Sequence, residues 1–298
     1  MGSDMTKLPV FSTIGQAMAV FGLHIGKIFQ WGLIVVAVGV VPVGVVFGFL
    51  EQSVKAASAS DNPEAGLWLM LLWAALLWLA LVMTPLGIKI NQLAVFGRTQ
   101  PIRYLDMLFS RRSLRFLGYT ILVGLIFLAG FLLAFVPAGA GLRFAMEQIP
   151  AGSVADFSQV GPAIVHALAH SGGTASFGIL VSAALGVAFA VLALPLQLVL
   201  PAVSVEENPS LGRSYNLASG NKLRLFCSML LVVLFFLCLN GALILIGKAF
   251  GADQSVGVRL MLLPLNLIVM LFDVVTAKAV YAVAYRIFSG LPDPRSTQ

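Results

Sequence analysis

Six apolar runs of more than twenty residues each constrain this chain more than any other feature: Ile28–Leu50, Gly66–Ile88, Leu114–Phe135, Ser176–Val199, Leu225–Ile246 and Leu260–Tyr285. A helix needs about 20 mostly apolar residues to cross the hydrocarbon core of a bilayer. Inside that core each backbone polar group must be satisfied within the protein, which leaves helices as the natural form for such runs. The predicted fold is therefore all-α, a polytopic membrane bundle of about six transmembrane helices in a single integral domain over residues 1–298. Composition agrees, with 59% hydrophobic and only 10% charged residues and a mean hydropathy of +0.99. Soluble domains carry about 25% charged residues. The first apolar run is too long for the core of a secretory leader, so no cleavable signal peptide is expected.

Orientation follows from Lys and Arg. With the N-terminus inside, the cytoplasmic segments hold Lys7, Lys27, Lys89, Arg98, Arg103, Arg111, Arg112, Arg115, Arg213, Lys222, Arg224, Lys278, Arg286 and Arg295. The other side holds Lys55, Arg143, Lys248 and Arg259. Cytoplasmic loops carry such an excess of positive charge, so both termini are placed in the cytoplasm of a bacterial inner membrane. The same asymmetry accounts for the net charge of +6 through anionic lipid headgroups as partners and not through nucleic acid. Trp31 and Tyr119 lie near span starts and Tyr281 and Tyr285 near an end, where aromatic rings favour the headgroup zone. Prolines 42, 85, 195 and 264 are expected to kink their spans.

Three short segments read as amphipathic helices on the cytoplasmic side. Phe11, Ile14, Met18, Phe21 and Ile25 recur at helical spacing behind a Ser12/Thr13 cap. Ile102, Leu105, Leu108 and Phe109 alternate with Arg103, Asp106 and Arg111–Arg112. A third is opened by Asn208-Pro209, carries Leu211, Tyr215 and Leu217, and is closed by Gly220. The second and third belong to a repeat: an offset of 109 residues pairs Ile102 with Leu211, Leu108 with Leu217, and Ser113-Leu114-Arg115 with Lys222-Leu223-Arg224. Pro85-Leu86 matches Pro195-Leu196 to within one residue. Both copies run the same way through the membrane, which predicts parallel halves 28–135 and 176–285 joined by an extracytoplasmic loop 136–175.

The run Leu200-Pro201-Ala202-Val203-Ser204-Val205-Glu206-Glu207, then Gly212-Arg213-Ser214-Tyr215 and Gly220-Asn221-Lys222-Leu223-Arg224-Leu225-Phe226, resembles a signature of uncharacterised bacterial six-helix membrane proteins. These are related to the membrane domain of glycerophosphodiester phosphodiesterases. The resemblance covers most of the chain in layout and about 27 residues in motif, and it departs at Leu211-Gly212. It implies a membrane domain and no settled activity.

Asp273 lies about 19 Å before Arg286 by helical rise, near the bilayer midplane, where a charge costs about 2.5–3.5 kcal/mol on insertion scales. Asn266 shares its helix face, and Asn240 and Gln197 are candidate partners from other spans. The set reads either as a proton or substrate site or as a hydrogen-bonded packing device. Lys278 sits about 140° round the helix from Asp273 and is expected to reach the cytoplasmic edge. Glu206 and Glu207, with Arg213 and Ser214, form a cytoplasmic motif that reads first as a helix-terminus or salt-bridge arrangement. His166 and His170 share a helical face, but two histidines do not make a metal site. Gly44 and Gly48 offer a close-approach motif. Cys227 and Cys238 are about 16 Å apart on one helix, too far for a disulfide.

No paired carboxylates, nucleophile elbow, phosphate loop or Cys/His cluster is present in the sequence. No enzyme activity, cofactor or metal is expected, and a protein partner or homo-oligomer is left open. Two functions remain: a non-enzymatic scaffold or accessory protein in envelope or lipid homeostasis, and a small transporter or flippase with a polar site at Asp273 between the repeats.

Overall fold

The computed structural model describes residues 7–48, 65–146, 174–205, 209–250 and 256–294. Among them every regular element is helical: α1 (Val10–Val35), α2 (Ala65–Phe96), α3 (Tyr104–Met107), α4 (Arg111–Met146), α5 (Thr174–Ala193), α6 (Val199–Val205), α7 (Leu211–Leu217), α8 (Lys222–Ala249) and α9 (Val256–Phe288). Six helical stretches are long and apolar enough to cross a membrane, one for each apolar run of the sequence. The protein is a multi-pass membrane protein with an all-α fold. Its long helices leave apolar side chains such as Leu133, Leu180, Leu237 and Leu245 about two-thirds or more exposed. In the spans of α4 and α8 only 11% of the most apolar window is covered by the chain itself. Water would not tolerate that surface; lipid tails do.

The first amphipathic segment and the first span form one rod with a bend between them. α1 runs from Val10 through non-helical angles at His24 (φ −122°, ψ 19°), so the bend separates the two segments where the periodic pattern changes. No side chain caps α1. Pro9 occupies the cap position, and Thr13 donates to the Pro9 carbonyl at 2.9 Å in place of the expected Ser12/Thr13 cap. A hydroxyl inside the first turn reaches the carbonyl four residues back more easily than a free N–H ahead of it.

Past Val35 the rod widens into a π turn, Val36–Val40, with the Val41 N–H bonded to the Val36 carbonyl. Pro42 follows, and its missing N–H cannot serve Val38. The Trp78 indole supplies the donor, at 2.8 Å from the Val38 carbonyl. Pro195 likewise falls in a 3₁₀ segment, Leu194–Leu198. Pro85 and Pro264 lie inside continuous helices.

The other two amphipathic segments are shorter than their patterns suggest. One is the single turn α3. The other, α7, begins after Ser210, whose hydroxyl accepts from the Arg213 N–H, and the Pro209 carbonyl instead accepts from the Tyr119 hydroxyl at 3.2 Å. Gly220 turns the chain into α8 with φ +78°, a left-handed conformation that favours glycine. α4 continues helically to Met146, eleven residues past the expected span end, with Pro137 inside it, as membrane helices tolerate.

The chain divides into two compact units, one of Met1–Thr120 with Leu196–Gln298 and one of Ile121–Pro195. In the first, α9 is the central element. It packs against α1, α2 and α8, and Val275, Ala279, Val280, Ala282 and Ala284 on it are fully buried. Small residues set the helix spacing, as expected where lipid gives no hydrophobic push. The close approaches fall at Gly32 of α1, against Leu271, and at Gly39 of the following turn, against Val82 and Leu79. Nothing among the described residues lies within 4 Å of a side chain placed at Gly44 or Gly48. In the second unit Phe189 meets Phe127 and Phe131 edge-on at 5.7 Å, and the Ser182 hydroxyl accepts from the Ala138 N–H at 2.8 Å.

Candidate functional site

The last turns of α2 read Gly87-Ile88-Lys89-Ile90-Asn91-Gln92, and all five residues from Ile88 to Gln92 are at most 3% exposed. A helix buried on every side must find partners for its polar members. Lys89 donates its ammonium to the Ile102 carbonyl at 2.9 Å and lies 5.2 Å from the centre of the Trp31 ring, a cation–π distance. Asn91 donates to the Ser204 hydroxyl at 3.0 Å, which itself donates to the Leu200 carbonyl at 2.8 Å. Gln92 donates to the Ser204 carbonyl and accepts from the Gln100 N–H, both at 3.2 Å. Arg112 closes the chain of bonds on the Gln100 side chain at 2.8 Å.

A second set ties the remaining helix ends to the same region. Tyr104 donates to the Val82 carbonyl at 2.7 Å, and burial pushes its phenol well above the ordinary tyrosine range. Arg286 donates to the Ala94 carbonyl at 3.0 Å, bonds Gln16 and lies 3.7 Å from Asp293. The Asn221 side chain accepts from the Leu8 N–H at 3.0 Å. One end of this unit is thus a polar plate in which α1, α2, α6, α8 and α9 are bonded to one another or to their connecting turns.

Beside the plate a cavity of about 280 Å³ opens between α2, α4, α6 and α9. Its polar lining is Asn91, Gln197, Lys278 and Tyr281; the rest is apolar, with Phe116 and Leu200 among it. The Lys278 ammonium lies 5.8 Å from the Phe116 ring centre and 3.4 Å from where a side chain at Gly87 would begin. Lys278 therefore points into the bundle and not to its edge. α9 is the most enclosed span, with 44% of its apolar window covered, and that enclosure holds the lysine stem inward. No hydrogen bond or ion pair reaches this ammonium among the described residues.

No family model, curated protein or solved structure matches the chain.

The residues singled out in the sequence are dispersed. Asp273 is half-buried on α9, and no hydrogen bond or ion pair reaches its carboxylate among the described residues. Its neighbour Phe272 stacks in a cluster with Phe21 at 4.7 Å and Phe236 at 5.1 Å. Asn266 and Asn240 are exposed and donate to carbonyls four residues back in their own helices, Leu262 at 3.1 Å and Phe236 at 2.9 Å. Gln197 lines the cavity with Lys278. Ser214 is buried, its N–H and that of Arg213 both turned toward Ser210. Glu206, Glu207, His166 and His170 lie outside the described residues. Among the described residues no group of three His, Cys, Asp or Glu side chains could hold a metal, and Cys227 and Cys238 are free thiols.

Lys89, Asn91, Gln92 and the inward Lys278 were not singled out as a site. A signal for the first three was present: no helix breaker occurs between Pro85 and Gly97, so the helix runs eight residues past the apolar stretch and carries its polar end into the plate.

Proposed function

We propose that this chain is a non-enzymatic scaffold or accessory protein of the bacterial inner membrane, serving envelope or lipid homeostasis, with both termini in the cytoplasm. The observation that carries the reading is the polar plate. Lys89, Asn91, Gln92, Tyr104 and Arg286 each bond a fixed group on another segment, an arrangement suited to holding helix ends in place. Such a plate, with Arg112 bonded to its Gln100 and exposed Arg103 and Arg111 in the same stretch of chain, suits anionic lipid headgroups or a protein docked at the cytoplasmic surface. The resemblance to bacterial six-helix proteins related to phosphodiesterase membrane domains is in keeping with it.

The test pairs a deletion strain with reconstitution. The deletion is expected to sensitise cells to detergent and chelator, with rescue by the wild-type gene, and the purified chain in vesicles is expected to move neither ions nor labelled lipid. Measured flux, abolished by Asp273→Asn, would replace the scaffold with the second reading, a small transporter or flippase. That reading is favoured by one observation, the placing of Gln197 on a cavity shared with Lys278.

A further inference from the structure

We propose that the cavity beside Lys278 binds one anionic phosphate group, with the phosphodiester of a membrane lipid headgroup as its natural source. Neither reading of function is required for this, because a scaffold and a transporter would both keep such a site.

The argument begins with charge. Three cationic side chains of this unit are drawn into its interior, and two of them have oxygen partners: Lys89 has the Ile102 carbonyl, and Arg286 has Ala94, Gln16 and Asp293. Lys278 has only the face of Phe116. An ammonium removed from water without an anion is costly, and a bound anion with hydrogen bonds offsets that cost. No acidic residue lines the cavity. Asp273, the acidic residue of the same helix, is five positions away and about 140° round.

The neighbouring groups suit a phosphate. The Asn91 amide nitrogen is committed to Ser204. The Gln197 carboxamide and the Tyr281 hydroxyl carry donors with no partner among the described residues. An ammonium, an amide N–H and a phenol O–H can each donate to a phosphate oxygen in a charge-assisted hydrogen bond.

Place and size select the source. Phe116 directly follows Arg115 at the basic start of α4, and Asn91, five residues from the end of α2, belongs to the plate as well as to the lining, so the cavity borders the plate. A space of about 280 Å³ falls just under the range of drug-sized pockets, enough for a headgroup fragment and too small for a whole lipid. Its apolar remainder, with Phe116 and Leu200, would meet the glycerol and first methylenes. Basic pockets between transmembrane helices on the cytoplasmic side bind headgroups in this way.

The experiment uses the full chain in detergent, with binding read by native mass spectrometry against phosphatidylglycerol, diacylglycerol and inorganic phosphate. Wild type is expected to retain one phosphatidylglycerol and no diacylglycerol. Lys278→Met should weaken retention about tenfold or more, the scale of one charge-assisted contact, and Lys278→Arg should keep most of it. Lys248→Gln, at the far end of α8, should leave it unchanged. If Lys278→Met does not fold, Gln197→Leu carries the test, with a several-fold loss expected. Millimolar phosphate that fails to displace the lipid supports the headgroup source. Phosphate that displaces it, in a manner dependent on Lys278, supports the same site with free phosphate as its ligand. Equal retention by wild type, Lys278→Met and Gln197→Leu, or equal binding of diacylglycerol, would overturn the proposal. Flux in vesicles is a separate readout, so failure here is distinct from failure of the scaffold reading.

Discussion

Lys89 shows how a cation is kept inside a membrane bundle without an anion. Its ammonium has a carbonyl for an acceptor and an aromatic face beneath it, so part of the lost hydration is replaced. Lys89→Met keeps the stem and removes the donor, and should lower stability by about 1.5–3 kcal/mol, the range for hydrogen bonds to charged groups. Because Trp31 lies under the ammonium, its fluorescence should shift in the folded variant, a change that a remote destabilisation would not produce. Ser204 is the second such residue, since two side chains of α2 converge on it. Ser204→Ala leaves the Asn91 amide without its acceptor, and a loss of about 0.6–2 kcal/mol is expected in a thermal melt in detergent. Gln92 keeps its bond to the Ser204 carbonyl in that variant, so an undiminished melting temperature would show that the Asn91 bond adds nothing.

At the scale of elements, α2 is joined to the π turn that follows α1, where that turn breaks a helix rule. The π turn before Pro42 frees the Val38 carbonyl, and Trp78 from α2 fills the vacancy. Trp78→Phe removes the donor together with part of the ring bulk and should cost at least about 0.6–2 kcal/mol, the share of the orphaned carbonyl. The same change with Pro42→Ala should cost less than the sum of the two, since alanine restores the N–H; strict additivity in a double-mutant cycle would refute the link. In the second unit the contact is steric. A methyl at Gly130 would stand 2.0 Å from the Phe189 ring, so Gly130→Ala should destabilise by about 1–3 kcal/mol, as overpacking does. Adding Phe189→Leu should recover part of that loss.

At the scale of the whole molecule the expected outcomes concern orientation. Along the chain the basic residues cluster at the ends of α2 and α9 and the starts of α4 and α8, while Arg143 and Lys248 fall in the last turns of α4 and α8. Fluorescent-protein fusions at either terminus should glow, and periplasmic alkaline phosphatase fused there should be inactive. The reverse pattern would invert the proposed topology. The wide apolar exposure of α4 and α8 has no bearing on that outcome, since lipid covers both equally well.

The six spans and their all-α character were legible from sequence because hydrocarbon permits few backbone solutions, and run length alone exposes them. The break between the first amphipathic segment and its span was legible too, and His24 marks it. The polar cluster was legible only in part. Asp273, Asn240 and Asn266 were noticed because they interrupt apolar runs, yet each asparagine bonds a carbonyl of its own helix, a choice open to any amide on a helix and invisible to spacing. Lys89, Asn91 and Gln92 passed as a membrane edge, since a polar residue after an apolar run looks the same whether water or another helix covers it. Only the tertiary structure decided that, by laying Ser204 and the Ile102 carbonyl against α2. It also turned Lys278 inward, because the enclosure of a lysine depends on which helices surround it, and periodicity along one strand of sequence carries no record of its neighbours.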